Sequence, residues 1–339
     1  KPVSMEMDGK FLTEEQIGAL GARQTASMTS TQFQSLSGEQ LAALGSAAMS
    51  ALPAALIASI TPGQVAALTM PQLQGFSATQ LHALSDTTLR ALTPDQISVL
   101  NGGQINNLGT HQIQQLGGDQ IAALGSGVLR TLSAVNAAAL TPAQMALLTT
   151  DQLQAMGPQA AHVLLPAQLQ ALSPAQVTAI GPTALAALSS TQFNSLGAAD
   201  LQALDATQLA ALSTVEMRGL GVSGLSQFTD LQWSEIRGAQ MAGLSSQQVA
   251  ALTVNEVAAL DASVIGAMST LQWTALSAAQ LQGLGTAALH ALSRNEVASM
   301  SATQLAALST LQVSTLNGTQ VAGLSSAQLH GLAAEQVTA

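Results

Sequence analysis

The chain has 339 residues, of which 47% are hydrophobic and only 8% charged, with 18 acidic side chains against 8 basic ones and a formal net charge of −10. So few cations on an acidic background argue against nucleic acid or an anionic membrane surface as partner, and the lack of any cysteine rules out disulfides and thiolate metal sites. The apolar runs fall well short of a membrane span, while the apolar content and its regular spacing argue against disorder.

Residues 1–12 (KPVSMEMDGKFL) stand outside any repeat and read as an N-terminal cap or a linker; a start at Lys1 reads as a processed or excised segment. From Thr13 the chain counts off in eights without insertion or deletion, giving 40 octads to Leu332 and a partial one, AAEQVTA, at 333–339. In SATQLAAL (301–308), Ser301 is position 1 and Leu308 position 8. Position 1 is Ser or Thr in 23 octads and Gly in ten, and position 4 is Gln in 26. Ser/Thr-x-x-Gln is the capping box, in which each side chain serves the other residue's backbone N–H at a helix start. Positions 8 and 5 are apolar, with Thr25 the one exception at position 5. They stand at the two ends of the hydrophobic staple that brackets such a cap. Pro62, Pro94, Pro142, Pro158, Pro166, Pro174 and Pro182 all occupy position 2, the first helical residue, where proline's missing N–H costs nothing.

One long helix is excluded, because eight residues in two turns would need about 4.0 residues per turn against 3.6, and the apolar stripe would drift by about 80° per octad. A strand is excluded because positions 5 and 8 do not alternate with period two. The expected fold is therefore all-α: a solenoid of very short helices, one per 8-residue repeat, running as a single continuous array over 13–339. Such helices are not stable alone and persist only by stacking positions 5 and 8 into a shared core. Charges avoid those positions and gather at 2, 3 and 6, the expected solvent face. The weakest octads, 53–60, 125–132, 133–140 and 157–164, lack the Gln but keep the apolar spacing.

Above the octad lies a 40-residue, five-octad super-repeat. Leu231-Gln232-Trp233 returns as Leu271-Gln272-Trp273 and as Leu311-Gln312-Val313, and Gly243 returns as Gly283 and Gly323. If five octads complete two solenoid turns, each turn takes about 20 residues and residues 40 apart line up on one face; recent duplication of the unit gives the same pattern. The partial octad ending at Ala339 carries no polar cap, so the reading is that either the protein continues or that end receives the start of another molecule; open ends joined head to tail give filaments.

No nucleophile elbow, phosphate loop or HExxH pair occurs, so the sequence reads as no enzyme and as having no cofactor or metal site. GVSGLSQ (221–227) is glycine-rich through a capping irregularity. His82, His111, His162, His290 and His330 fall at polar positions and read as solvated. Glu216, Glu256 and Glu296 replace the capping Gln at 40-residue intervals and read as caps rather than as a Ca²⁺ ladder. Trp233 and Trp273, at position 5, read as core fillers, with stacking on a sugar or peptide as the alternative. Leu231, Leu271 and Leu311 stand at the normally polar position 3; with Trp233 and Trp273 they form the candidate face for self-association or ligand contact, and burial within the rod is the alternative.

The pattern [ST]-x-x-Q-[LIV]-x-A-L, as in SATQLAAL (301–308), TPAQMALL (141–148) and DATQLAAL (205–212), resembles octad arrays in very large exported proteobacterial exoproteins of haemagglutinin, haem-utilisation or adhesin type. The likeness covers the chain from Thr13. It implies extracellular or cell-surface bacterial material, with which the lack of cysteine is compatible, and it brings no active-site residues. The expectation is a structural protein, a rigid solenoid rod that forms a fibre or an adhesin stalk by head-to-tail or lateral self-association. The alternative is a monomeric scaffold that holds a peptide or carbohydrate ligand, with cell-surface or carbohydrate contact as its use.

Overall fold

Most octads close their own helix start in the computed structural model, which describes residues 6–7 and 10–338. Among these are 41 helices of four to six residues. The expected N-terminal cap or linker lies largely outside the described residues; within it, Glu6–Met7 pairs antiparallel with Lys10–Phe11. The chain packs as two compact units, Lys1–Ala184 and Leu185–Ala339, and the same local architecture holds within each.

Octad 77–84 shows how the sequence makes the element. Ser77 is extended (φ −69°, ψ 159°). Its Oγ accepts the Gln80 N–H at 3.2 Å, and its own N–H donates to Gln80 Oε1 at 2.8 Å. The helix Ala78–His82 follows, with Leu81 and Leu84 buried and His82 exposed. Glycine at position 1 keeps half of this arrangement: Gly117 has no side chain to offer, yet its N–H still reaches Gln120 Oε1 at 2.9 Å. Thr25, the polar exception at position 5, is fully buried because its Oγ1 donates to the Gly21 carbonyl at 3.1 Å. At 220–221 the extended bend is missing. Leu220 stays helical, Gly221 takes φ +64°, and the helices Thr214–Gly219 and Gly221–Leu225 follow directly. Only glycine adopts that φ without cost.

The helices stack with a longer period than the sequence leads one to expect. Within each unit most pack against the third one on: Gly38–Ala43 against Pro62–Ala67, Pro94–Ser98 against Gly118–Ala123, Ser246–Ala250 against Thr270–Ala275. The Gln80 amide donates to the carbonyls of Met49 and Leu52, 31 and 28 residues earlier, at 2.9 and 3.0 Å. On the outer side Asn106 and Gln282 donate to carbonyls 25 residues later, those of Thr131 and Ala307. These three offsets centre the turn on the middle one, 28, which is 28/8 = 3.5 octads. The expected 20-residue turn is therefore too short. Residues 40 apart are 40/28, about 1.4 turns, apart and lie on nearly opposite sides of the coil rather than on one face.

What the 40-residue repeat does preserve is a packing pair. Position 2 of one octad meets position 7 of an octad in the next turn. A Cβ built on Gly243, Gly283 or Gly323 would come within 2.7, 2.6 and 2.7 Å of the side chains of Thr214, Val254 and Arg294. Position 7 is thus small because a helix from the preceding turn lies against it, and each bulky position 2 travels with its glycine.

Candidate functional site

The candidate face separates into two layers. Within a helix, successive residues are rotated by about 100°, so positions 3 and 5 point to opposite sides. Leu231, Leu271 and Leu311 are accordingly 72%, 75% and 66% exposed, whereas Trp233 and Trp273 are fully buried. The tryptophans are no part of that surface. Trp233 packs against Phe228, with ring centroids 5.9 Å apart and planes tilted by 57°, and the indole N–H of both Trp233 and Trp273 is buried without a hydrogen-bond partner. An orphan donor of this kind costs about 1–3 kcal/mol, which the burial of so large a side chain offsets. The 28-residue turn also keeps Leu231 and Leu271 from forming one ridge. Val215, exposed at the same position 3, stands two turns before Leu271 and comes to its side of the coil.

Positions that could carry chemistry are engaged locally. His111 Nε2 lies 2.8 Å from Asp86 Oδ2 across one turn, His290 Nδ1 is 3.3 Å from the Thr315 carbonyl, and His330 Nδ1 is 2.7 Å from the Ser326 carbonyl. Among the described residues there is no group of three or more His, Asp or Glu placed to hold a metal ion, and no helix is long and apolar enough to cross a membrane. The Asp261 carboxyl is held below the usual range by the Ser263 hydroxyl and then by the Ser263 N–H. Glu39 is lowered by its own backbone N–H and then by Ser37. Both are exposed helix-start carboxylates.

The feature that sequence reasoning missed is a second role for the position 4 glutamine. Its oxygen caps the helix, as expected. Its amide nitrogen is buried and donates to the position 5 and position 8 carbonyls of the octad four earlier: Gln104 to Leu73 and Phe76 at 2.9 and 3.0 Å, Gln144 to Ile113 and Leu116 at 2.8 and 2.9 Å, Gln272 to Met241 and Leu244 at 2.7 and 2.9 Å. One residue type therefore starts a helix and ties it to the previous turn, satisfying carbonyls at that helix's C-terminal end. The only signal for this in the sequence is the preference for Gln over Glu, which caps equally well. Glu216, Glu256 and Glu296 do cap, accepting the N–H of Ser213, Thr253 and Ser293 at 2.8, 2.6 and 2.5 Å. A carboxylate has no amide hydrogens, so those rungs keep the cap and lose the amide tie.

No protein-family model matches this chain, and no curated protein sequence does either.

Proposed function

We propose that the chain is a structural, extracellular protein of a bacterial surface, whose octad arrays serve as the spacer of a fibre or of an adhesin stalk. One observation carries this reading: within each unit the same polar side chain is spent inward, rung after rung, on joining turns. Gln64 to Gln176 and Gln232 to Gln336 repeat the tie with few omissions. A design in which each octad brings its own cap, its own core residues and its own tie adds length without adding chemistry. The faces left outward are rich in Gln, Ser, Thr and Ala and carry the chain's few charges. The likeness of SATQLAAL and its kin to exported octad arrays supports the location.

Two measurements test the reading together. Antibody against the folded protein should label intact, unpermeabilised producing cells. Inserting seven octads, enough for two turns, into 61–124 should lengthen the particle in small-angle scattering by about 20 Å at the usual helix-packing distance. Labelling only after permeabilisation, or an unchanged longest dimension, would contradict it.

A further inference from the structure

The rungs at Glu256 and Glu296 contain hydrogen-bond acceptors only. Each carboxylate keeps one oxygen on the N–H of its own cap residue, Thr253 or Ser293. A carboxylate is planar, so its other oxygen is left on the side where a glutamine turns its amide to the previous turn. From this position Gln272 reaches carbonyls 31 and 28 residues back. The same offsets lead from Glu256 to Leu225 and Phe228, and from Glu296 to Ile265 and Met268. The Phe228 and Met268 carbonyls accept no hydrogen bond from the described residues.

Both carboxylates are buried, at 6% and 8% exposure. Neither has an ion-pair partner among the described residues. A charge buried this far is costly unless it is paired or coordinates a metal. Glu216, the third of the series, is only half-buried, and its carboxylate also takes the Ser213 hydroxyl. The need therefore arises at two rungs. Oxygens with no hydrogen to share, one of them charged, suit a hard cation. Ca²⁺ accepts carboxylate and main-chain carbonyl oxygens in irregular geometry and completes its shell with water, whereas Mg²⁺ demands a near-ideal octahedron.

We propose that Glu256 with the Leu225 and Phe228 carbonyls, and Glu296 with the Ile265 and Met268 carbonyls, each bind one Ca²⁺ ion between successive turns. The ion does at these rungs what the amide hydrogens do at the others. The two sites lie on nearly opposite sides of the coil and act separately, so they form no ladder of carboxylates. The 40-residue repeat places a tryptophan with each: Trp233 and Trp273 follow Phe228 and Met268 by five residues, and the Phe228 ring packs on Trp233.

Those tryptophans supply the test. The chain has two Trp and no Tyr, and Tb³⁺, which takes the same oxygen ligands as Ca²⁺, emits when a nearby indole is excited. Sensitised emission should appear on adding TbCl₃. CaCl₂ should displace it with a Kd on the order of 10⁻⁴–10⁻³ M, and MgCl₂ at equal ionic strength should displace it far less. Glu256→Gln should roughly halve the emission, in proportion to the two sites, and Glu256→Gln with Glu296→Gln should abolish it. Circular dichroism should be unchanged in both, because glutamine brings its own tie. Glu216→Gln should leave the emission at the wild-type level. Calcium should raise the melting temperature of the wild type and leave that of the double variant unmoved. Emission that calcium does not displace, or that survives the double variant, overturns the two sites. So does a double variant that gains as much from calcium as the wild type.

Discussion

Residues 93–124 and 125–140 build the same coil with different chemistry. In the first stretch Gln96, Gln104, Gln112 and Gln120 cap four successive helices and each reaches back one turn, to carbonyls that include Leu68, Phe76, Leu84 and Leu92. In the second, position 4 is Val128 and then Asn136. Val128 is buried and offers no amide to Ile97 or Leu100, and Gly125 makes no side-chain cap. Asn136 reaches only the Ile105 carbonyl, at 3.0 Å, and is too short to turn back to the N–H of Ser133. That N–H is accepted instead by Asn106 Oδ1 at 2.8 Å, from the previous turn, while Asn106 Nδ2 donates to the Thr131 carbonyl at 2.7 Å. Both stretches nevertheless form their helices and bury positions 5 and 8: Ile105 and Leu108 in one, Leu129 and Leu132 in the other. The apolar spacing therefore suffices for the fold, and the glutamine ladder adds polar ties between turns that a few side chains replace where it is interrupted.

The largest effects should ignore the difference between the stretches. Ile105→Ala and Leu129→Ala should each cost about 2–5 kcal/mol in chemical denaturation, because both remove a fully buried position 5 side chain. A markedly smaller cost at Leu129 would mean that the core is not shared equally. Next comes Gln104→Leu, which strands the Asn101 N–H and the Phe76 carbonyl and leaves the Leu73 carbonyl with the Phe76 N–H alone; about 2–3 kcal/mol is expected from net values near 1 kcal/mol per hydrogen bond. An effect near zero would reduce the ladder to decoration. Asn106→Ala should cost about 1–2 kcal/mol by the same reasoning, with the loss confined to amide protection around Ser133. The smallest change should be a gain. Val128→Gln restores the missing rung, its oxygen reaching the Gly125 N–H and its amide the Ile97 and Leu100 carbonyls, and should stabilise by about 1 kcal/mol; destabilisation would show that the site has lost the room for an amide.

Much of this was legible locally. A capping box, a staple and a proline at the first helical position all fit inside eight residues, so one helix per octad, the burial of positions 5 and 8 and the burial of Trp233 follow from spacing alone. For Leu231, Leu271 and Leu311 the pattern left an exposed ridge and burial within the rod equally open, and the coil exposes all three. The turn was not legible, because contacts between distant octads set it, such as those of Gln80 with Met49 and of Asn106 with Thr131. The 40-residue likeness misled on this point: it preserves pairs such as Val254 with Gly283, which meet across one turn inside the unit, and does not mark a repeat of azimuth. The second use of Gln104 and its equivalents was hidden for a related reason. A cap consumes only the amide oxygen, and nothing local says where the two hydrogens go.

The 28-residue turn is the central claim, and the absence of native cysteine makes it directly testable by cross-linking. A Cβ on Gly102 would lie 3.4 Å from Thr131 Cβ, close to the roughly 3.5–4.5 Å of a disulfide. Gly102→Cys with Thr131→Cys should oxidise to an intramolecular disulfide in the folded protein, while Gly102→Cys with Ala122→Cys, the pair that a 20-residue turn would bring together, should keep free thiols. Cross-linking of the 102–122 pair and not of 102–131 would contradict the account.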